Sequence, residues 1–185
     1  GEYLMSQSDS IPFNFLGIPA ETAAYDTARL VVLPIGFEAT TSYGTGTRGG
    51  PEALIAASRQ VERYDPDLDV DLAGAPIHTM DPLAPDLSSP SAMTERIARV
   101  AGRATADGKW VLGLGGEHTI SLGLVRACAK KHGRLSILHI DAHLDLWSRY
   151  EDTPYSHACV MRRCVEDGHR TVHVGIRSAG RGEHR

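Results

Sequence analysis

The stretch Leu135-Ser136-Ile137-Leu138-His139-Ile140-Asp141-Ala142-His143-Leu144-Asp145 decides the fold. Its first six residues are a short, mostly aliphatic run preceded by Gly133, which is the pattern of a strand. Asp141, His143 and Asp145 then recur at every second position. In an extended segment, positions i, i+2 and i+4 point to one side. The spacing therefore predicts three side chains converging just past the carboxyl end of a strand, where open α/β sheets bind ligands. Two carboxylates and an imidazole make an oxygen-rich set that suits Mn(II) or another hard to borderline divalent ion.

Upstream, Trp110 to Gly115 reads as another strand and runs into Gly115-Gly116-Glu117-His118. The glycines permit tight turning and close backbone approach there. His118 can thus join the first cluster from a second strand end. Glu117 is ambiguous: it belongs to the site or is simply a solvated neighbour. A lone Asp-x-His is more often a solvated turn than a metal site, but two such features on neighbouring strand ends favour the metal reading.

Further outward, strands and helices alternate. Arg29 to Gly36 reads as a buried strand, followed by a Gly/Thr-rich loop over 39–50. Pro51 opens a helix with Leu54, Ile55, Ser58 and Val61 on one face. A Pro- and Asp-rich stretch from Asp65 to Pro90 holds one short strand near 76–80. A helix from about Ser91 carries Ile97, Val100, Ala101 and Ala104 as its apolar stripe. A helix over about 120–131 stops at Gly133, one over about 157–166 ends at Gly168, and a strand over 171–176 follows. The alternation argues for an α/β fold of three layers, α-β-α, with a mainly parallel sheet. Residues 1–28 are polar and irregular and read as a loosely held arm, leaving 29–185 as the domain.

The composition, 42% hydrophobic and 23% charged over 185 residues, is that of a globular domain. A formal net charge of -4 without a basic cluster argues against a nucleic-acid partner. No apolar run approaches a bilayer span, so no membrane association is expected. Three cysteines at irregular spacing read as reduced thiols, and the default location is cytoplasmic.

Gly115-Gly116-Glu117-His118 and Asp141-Ala142-His143-Leu144-Asp145 resemble the two upstream metal motifs of the ureohydrolases, the arginase and agmatinase family. The loop and helix start over 39–53, the segment Tyr155–Arg163 and the strand Val174–Ser178 are similar to family segments in the same order. The resemblance implies two Mn(2+) ions per complete site. His118, Asp141 and Asp145 would bind one, Asp141 and His143 the other, and a hydroxide shared by both would attack the guanidinium carbon. His157 would match the family's proton-transfer histidine.

Arginases hold the substrate's amino-acid head through a loop before this histidine and an acid after the Gly-x-Arg segment. Here Gly180 stands at that acid's position. The expected reaction is agmatine to putrescine and urea, with guanidinobutyrase, arginase or formiminoglutamase as alternatives within the family. The expected substrate is a small guanidino molecule, and the expected assembly is a trimer or hexamer of the full-length chain.

The family's sheet has the strand order 2-1-3-8-7-4-5-6, of which five strands can be placed here. The later Asp-x-Asp motif has no counterpart up to Arg185. The chain therefore reads as the N-terminal portion of the domain, stopping after the fifth strand with four of six expected metal ligands. A catalytically inactive homologue serving as an association module is the alternative.

Overall fold

A computed structural model describes residues 11–184. Strand β1 (Leu30–Ile35) is followed by helix α1 (Gly50–Ser58), a hairpin of β2 (Tyr64–Asp65) and β3 (Val70–Asp71), and β4 (Ile77–Thr79). Helix α2 (Pro90–Ala106), β5 (Trp110–Gly115), α3 (Ile120–His132), β6 (Ser136–Ile140), α4 (Val160–Glu166) and β7 (Arg170–Val174) complete the order. Strands β4, β1 and β5 form one parallel sheet with β1 in the middle, and β6 and β7 form a second parallel pair. The mainly parallel α/β architecture expected from the sequence is observed.

The five larger strands pair as second-first-third and fourth-fifth. These are the two outer pieces of the order implied by the resemblance. Among the described residues no strand joins β5 to β6. Apolar side chains accordingly remain in solvent there: Trp110 on β5 is 76% exposed and Ile140 on β6 is 74% exposed. A strand edge of this kind is a template for further pairing.

β1 is buried on both faces because helices cover both. Leu33 and Ile35 pack against Met93, Ile97 and Ala101 of α2 and against Ile120 and Ala127 of α3. Val32, on the opposite side of the pleat, packs with Ile55 of α1, Ile77 and Leu114. A third cluster joins Leu122 of α3 to Val160, Met161 and Cys164, with Ile137 of β6 against it. Helix α2 begins where Ser89 Oγ accepts from the Ala92 amide and Pro90 takes the first turn. Helices α2 and α3 meet at Gly123, where a Cβ would stand 2.6 Å from Ile97 Cβ and 2.7 Å from the Thr94 carbonyl oxygen.

Several local expectations need correction. The arm is irregular but not loose over its described part. Leu16 and Ile18 are buried, Asn14 makes two hydrogen bonds to the Ile18 backbone, and the Leu16 amide donates to Ser58 Oγ at 2.9 Å. Residues 1–10 lie outside the described residues. On α1, Ile55 and Ser58 are buried, whereas Leu54 and Val61 are exposed because the helix ends at Ser58 and Leu54 lies on its outer side. The β2–β3 hairpin was not anticipated. Its strands are two residues each, and its turn rests on Asp65 Oδ1, which accepts from the Asp67 and Leu68 amides. The helix expected from His157 opens as a 3-10 turn over His157–Cys159. The three cysteines are free thiols, with Cys159 and Cys164 buried. Among the described residues no helix is long and apolar enough to cross a membrane.

Candidate metal centre

The carboxyl ends of β5 and β6 face each other across the break between the sheets. His118, in the turn from β5 to α3, places Nδ1 2.6 Å from Asp145 Oδ2. The His139 ring, from β6, stacks on His118 with centroids 5.2 Å apart and planes 13° from parallel. His139 Nε2 lies 3.6 Å from Asp141 Oδ2. One donor atom from each of His118, His139, Asp141 and Asp145 lies within 4.8 Å of the others.

The turn carrying His118 depends on Gly116. Its φ is +55°, and a Cβ there would lie 2.5 Å from the Ile35 carbonyl oxygen and 2.7 Å from that of Phe37. Only glycine meets both demands cheaply. On the other side, β6 ends at Ile140 and the chain does not stay extended. Asp141 Oδ1 accepts from the His143 amide at 2.8 Å, forming a local turn, and Asp145 adopts a left-handed φ of +52°. That conformation aims the Asp145 carbonyl at the start of α4, where it accepts from the Met161 and Arg162 amides.

The turn also overturns the expected alternation. Asp141 and Asp145 converge as expected, but the His143 side chain is 58% exposed, its Nδ1 3.5 Å from Asp141 Oδ1 and outside the tight group. His139, two residues before Asp141 on the strand itself, takes the place in the group that the alternation assigned to His143. An imidazole in an otherwise aliphatic strand was the available signal, and counting back from Asp141 would have found it.

The donor set fits a divalent ion. His139 Nε2 is buried and has no hydrogen-bond partner, while Nδ1 of the same ring lies 2.9 Å from His173 Nδ1. A buried polar atom without a partner is costly unless something else satisfies it. Burial, then the neighbouring His118, holds the His139 imidazole below its usual range. At Asp141 burial pushes the carboxyl upward, but the His143 amide and the surrounding imidazoles outweigh it and hold the group below its usual range. A neutral imidazole and an ionised carboxylate are the states that coordinate metals.

Beside this group lies a cavity of about 370 Å³, lined among others by His143, Asp145, Trp147, Tyr150, His157 and Glu183. His157 is therefore not in the donor cluster but shares a cavity with Asp145. Its Nε2 is 3.2 Å from Ser42 Oγ, which is 3.0 Å from Tyr150 Oη, and Tyr150 stands edge-on to the imidazole. Thr40 and Ser42 come from the loop after β1, where the sequence carries only a Gly/Thr-rich bias. Glu117 is no solvated neighbour. It is 4% exposed and accepts from the Ala39 and Thr40 amides and the Thr40 hydroxyl, each at 2.7 Å. At Gly180 a side chain would run into the Trp147 ring.

Parallel strands whose carboxyl ends gather imidazoles and carboxylates define a class of α/β proteins with a donor set that could hold a divalent metal. Residues 28–185 match the model of the Arginase family, and the chain belongs to that family. It is similar to the N(1)-aminopropylagmatine ureohydrolase of Synechocystis sp., at 40% identity over 176 residues, covering 90% of this chain and 56% of that protein. It is 32% identical over 161 residues to the agmatinase of Bacillus subtilis, covering 86% of this chain and 56% of that one. The crystal structure of agmatine ureohydrolase of Thermoplasma volcanium superposes with a TM-score of 0.81 at 31% identity, covering 94% of this chain and 58% of that chain. The chain thus spans about half the length of the curated relatives it matches.

Proposed function

We propose that the protein hydrolyses the guanidinium group of a linear cationic amidine, agmatine or its N(1)-aminopropyl derivative, and releases urea. The observation that carries this reading is the convergence of His118, Asp141 and Asp145 beside a cavity that Asp145 and His157 both line. His118, Asp141 and Asp145, with His139 from the strand and His143 from the turn, are the residues that would hold two manganese ions. When bound, divalent ions of this kind lower the pKa of water and stabilise developing negative charge. His157 lines the same cavity and would pass a proton to the departing amine. Trp147 and Tyr150 offer aromatic faces to a cationic substrate.

The choice of substrate within the family rests on Gly180 and on the relatives. An acid at position 180 would collide with Trp147, so the site offers no carboxylate there for an α-amino group. Relatives named for aminopropylagmatine reach 40% identity and those named for agmatine 32%. The family's trimeric or hexameric assembly and cytoplasmic location belong to the same proposal. A panel of agmatine, N(1)-aminopropylagmatine, guanidinobutyrate and arginine, assayed for urea with the intact protein and manganese, tests it. Urea is expected from the first two. Urea from none of the four would overturn the reading, and urea from arginine alone would overturn the substrate choice.

A further inference from the structure

The buried Glu117 is not used by the proposed hydrolysis, yet it is tied to the proposed proton carrier through one residue. Two backbone amides point at its Oε2, those of Ala39 and Thr40, and the Thr40 hydroxyl lies 2.7 Å from Oε1. Three donors converging on two oxygens leave the carboxylate as acceptor on both. The single proton of the Thr40 hydroxyl is therefore directed at Glu117.

That assignment has a consequence on the other side of Thr40. Its oxygen has only lone pairs left to offer, and His157 presents two nitrogens to it. The His157 amide donates at 3.0 Å, and the ring Nδ1 lies 3.3 Å away. Thr119 Oγ1, more distant at 3.4 Å, completes the surroundings. A nitrogen facing a lone pair must carry a hydrogen to make a bond, so Nδ1 is the protonated nitrogen and Nε2 holds the free pair. The cavity side agrees. Tyr150 can donate to Ser42, and Ser42 to Nε2; when Nε2 gains a proton, both hydroxyls can rotate and reverse. One side of the imidazole is fixed and the other is switchable, which is the arrangement a proton carrier needs.

We propose that Thr40, locked by the buried Glu117 carboxylate, is a positioning residue that fixes His157 in the Nδ1–H tautomer and presents Nε2 to the cavity. The inference rests on the proposed role of His157 but is read without substrate. Asp, His and Ser groups acting in series follow the same logic in hydrolases, where the orienting group holds the tautomer of the base. Here a threonine hydroxyl stands between the carboxylate and the imidazole, and it grips backbone and ring of the same histidine.

The test is nitrogen-15 NMR of histidine-labelled intact protein, with His157→Gln assigning the resonance. The expected wild-type spectrum of the neutral ring shows Nδ1 protonated and Nε2 unprotonated. Thr40→Val keeps the size and the backbone but removes the hydroxyl. It is expected to give a tautomer mixture and lower kcat by about 10- to 100-fold with little change in KM, in line with other groups that orient a ligand or base. Thr40→Ser should restore both. A wild-type Nε2–H tautomer, or a mixture, overturns the proposal whether or not any variant folds. So does a Thr40→Val spectrum identical to wild type. If the wild-type pattern holds while no guanidino compound yields urea, the clamp stands and the functional reading falls.

Discussion

His118 and Asp145 lie 2.6 Å apart although they stand at the ends of strands in different sheets. The contact spans the break between β5 and β6, and the helices behind it supply the rigidity. Helix α3 packs on α2 under the first sheet and on α4 under the second, so the two halves of the donor cluster share one helical layer.

That layer is the first target for a test. Gly123→Ala places a Cβ against Ile97 and the Thr94 carbonyl, and backbone cannot give way as a flexible side chain would. Overpacking of this kind costs about 1–3 kcal/mol. Chemical denaturation should show a lower midpoint with an unchanged slope; an unaltered midpoint would contradict the packing described.

Gly180→Ala probes the cavity wall. Any side chain there must displace the Trp147 ring, while the main-chain amide of the same residue donates to Glu183 Oε2. The expected outcome is a raised KM for agmatine and a shifted tryptophan emission. A variant that leaves both as in wild type would show that Trp147 does not line the substrate path.

Tyr25 links the segment before β1 to the end of α2 by donating to Asp107 Oδ2 at 2.7 Å. Burial, then this hydrogen bond and the Asp107 charge, push the phenol up to about 12. A group whose pKa is raised on folding contributes stability that is fully present below its unfolded value of about 10. The contribution is lost as pH rises from there through about 12. The bond is exposed and screened by solvent, so Tyr25→Phe should cost no more than roughly 0.5 kcal/mol near pH 8, and the gap to wild type should narrow as pH passes 10. Urea denaturation across that range measures it, and a gap that is constant with pH would refute the coupling.

The thiols should differ in reactivity. Burial pushes the Cys164 thiol up to about 12, and Cys159 is also buried, whereas Cys128 is half-buried on α3. Since the thiolate is the reacting species, an alkylating reagent at pH 8 should label Cys128 first. Labelling of Cys164 should require denaturant. Mass mapping of the modified peptides gives the order.

How much of this was legible in the sequence follows the strength of the local signals. β1, β5 and β6 stand on short, mostly aliphatic runs, and α2 and α3 on apolar stripes with a serine cap or a glycine stop, so the local pattern locates them. The small hairpin at 64–71 escapes because two-residue strands carry no period. The convergence of His118 with Asp141 and Asp145 was legible from ligand types at strand ends. The place of His139 in the tight donor group, with His143 standing outside it, was not, since it depends on a turn made by the Asp141 side chain and on a left-handed Asp145. Glu117 stayed undecided for a related reason: its partners, the amides of Ala39 and Thr40, lie more than 70 residues away, and no local pattern announces them.

The proposed hydrolysis requires His118, Asp141 and Asp145 to hold catalytic metal. Metal content after exhaustive dialysis of the manganese-loaded intact protein, measured by atomic spectrometry for wild type and for Asp145→Asn, tests it most directly. Close to two manganese ions per wild-type chain are expected and at least one fewer in the variant, with urea release lost in parallel. Equal metal content in the two proteins, or none in the wild type, would contradict it.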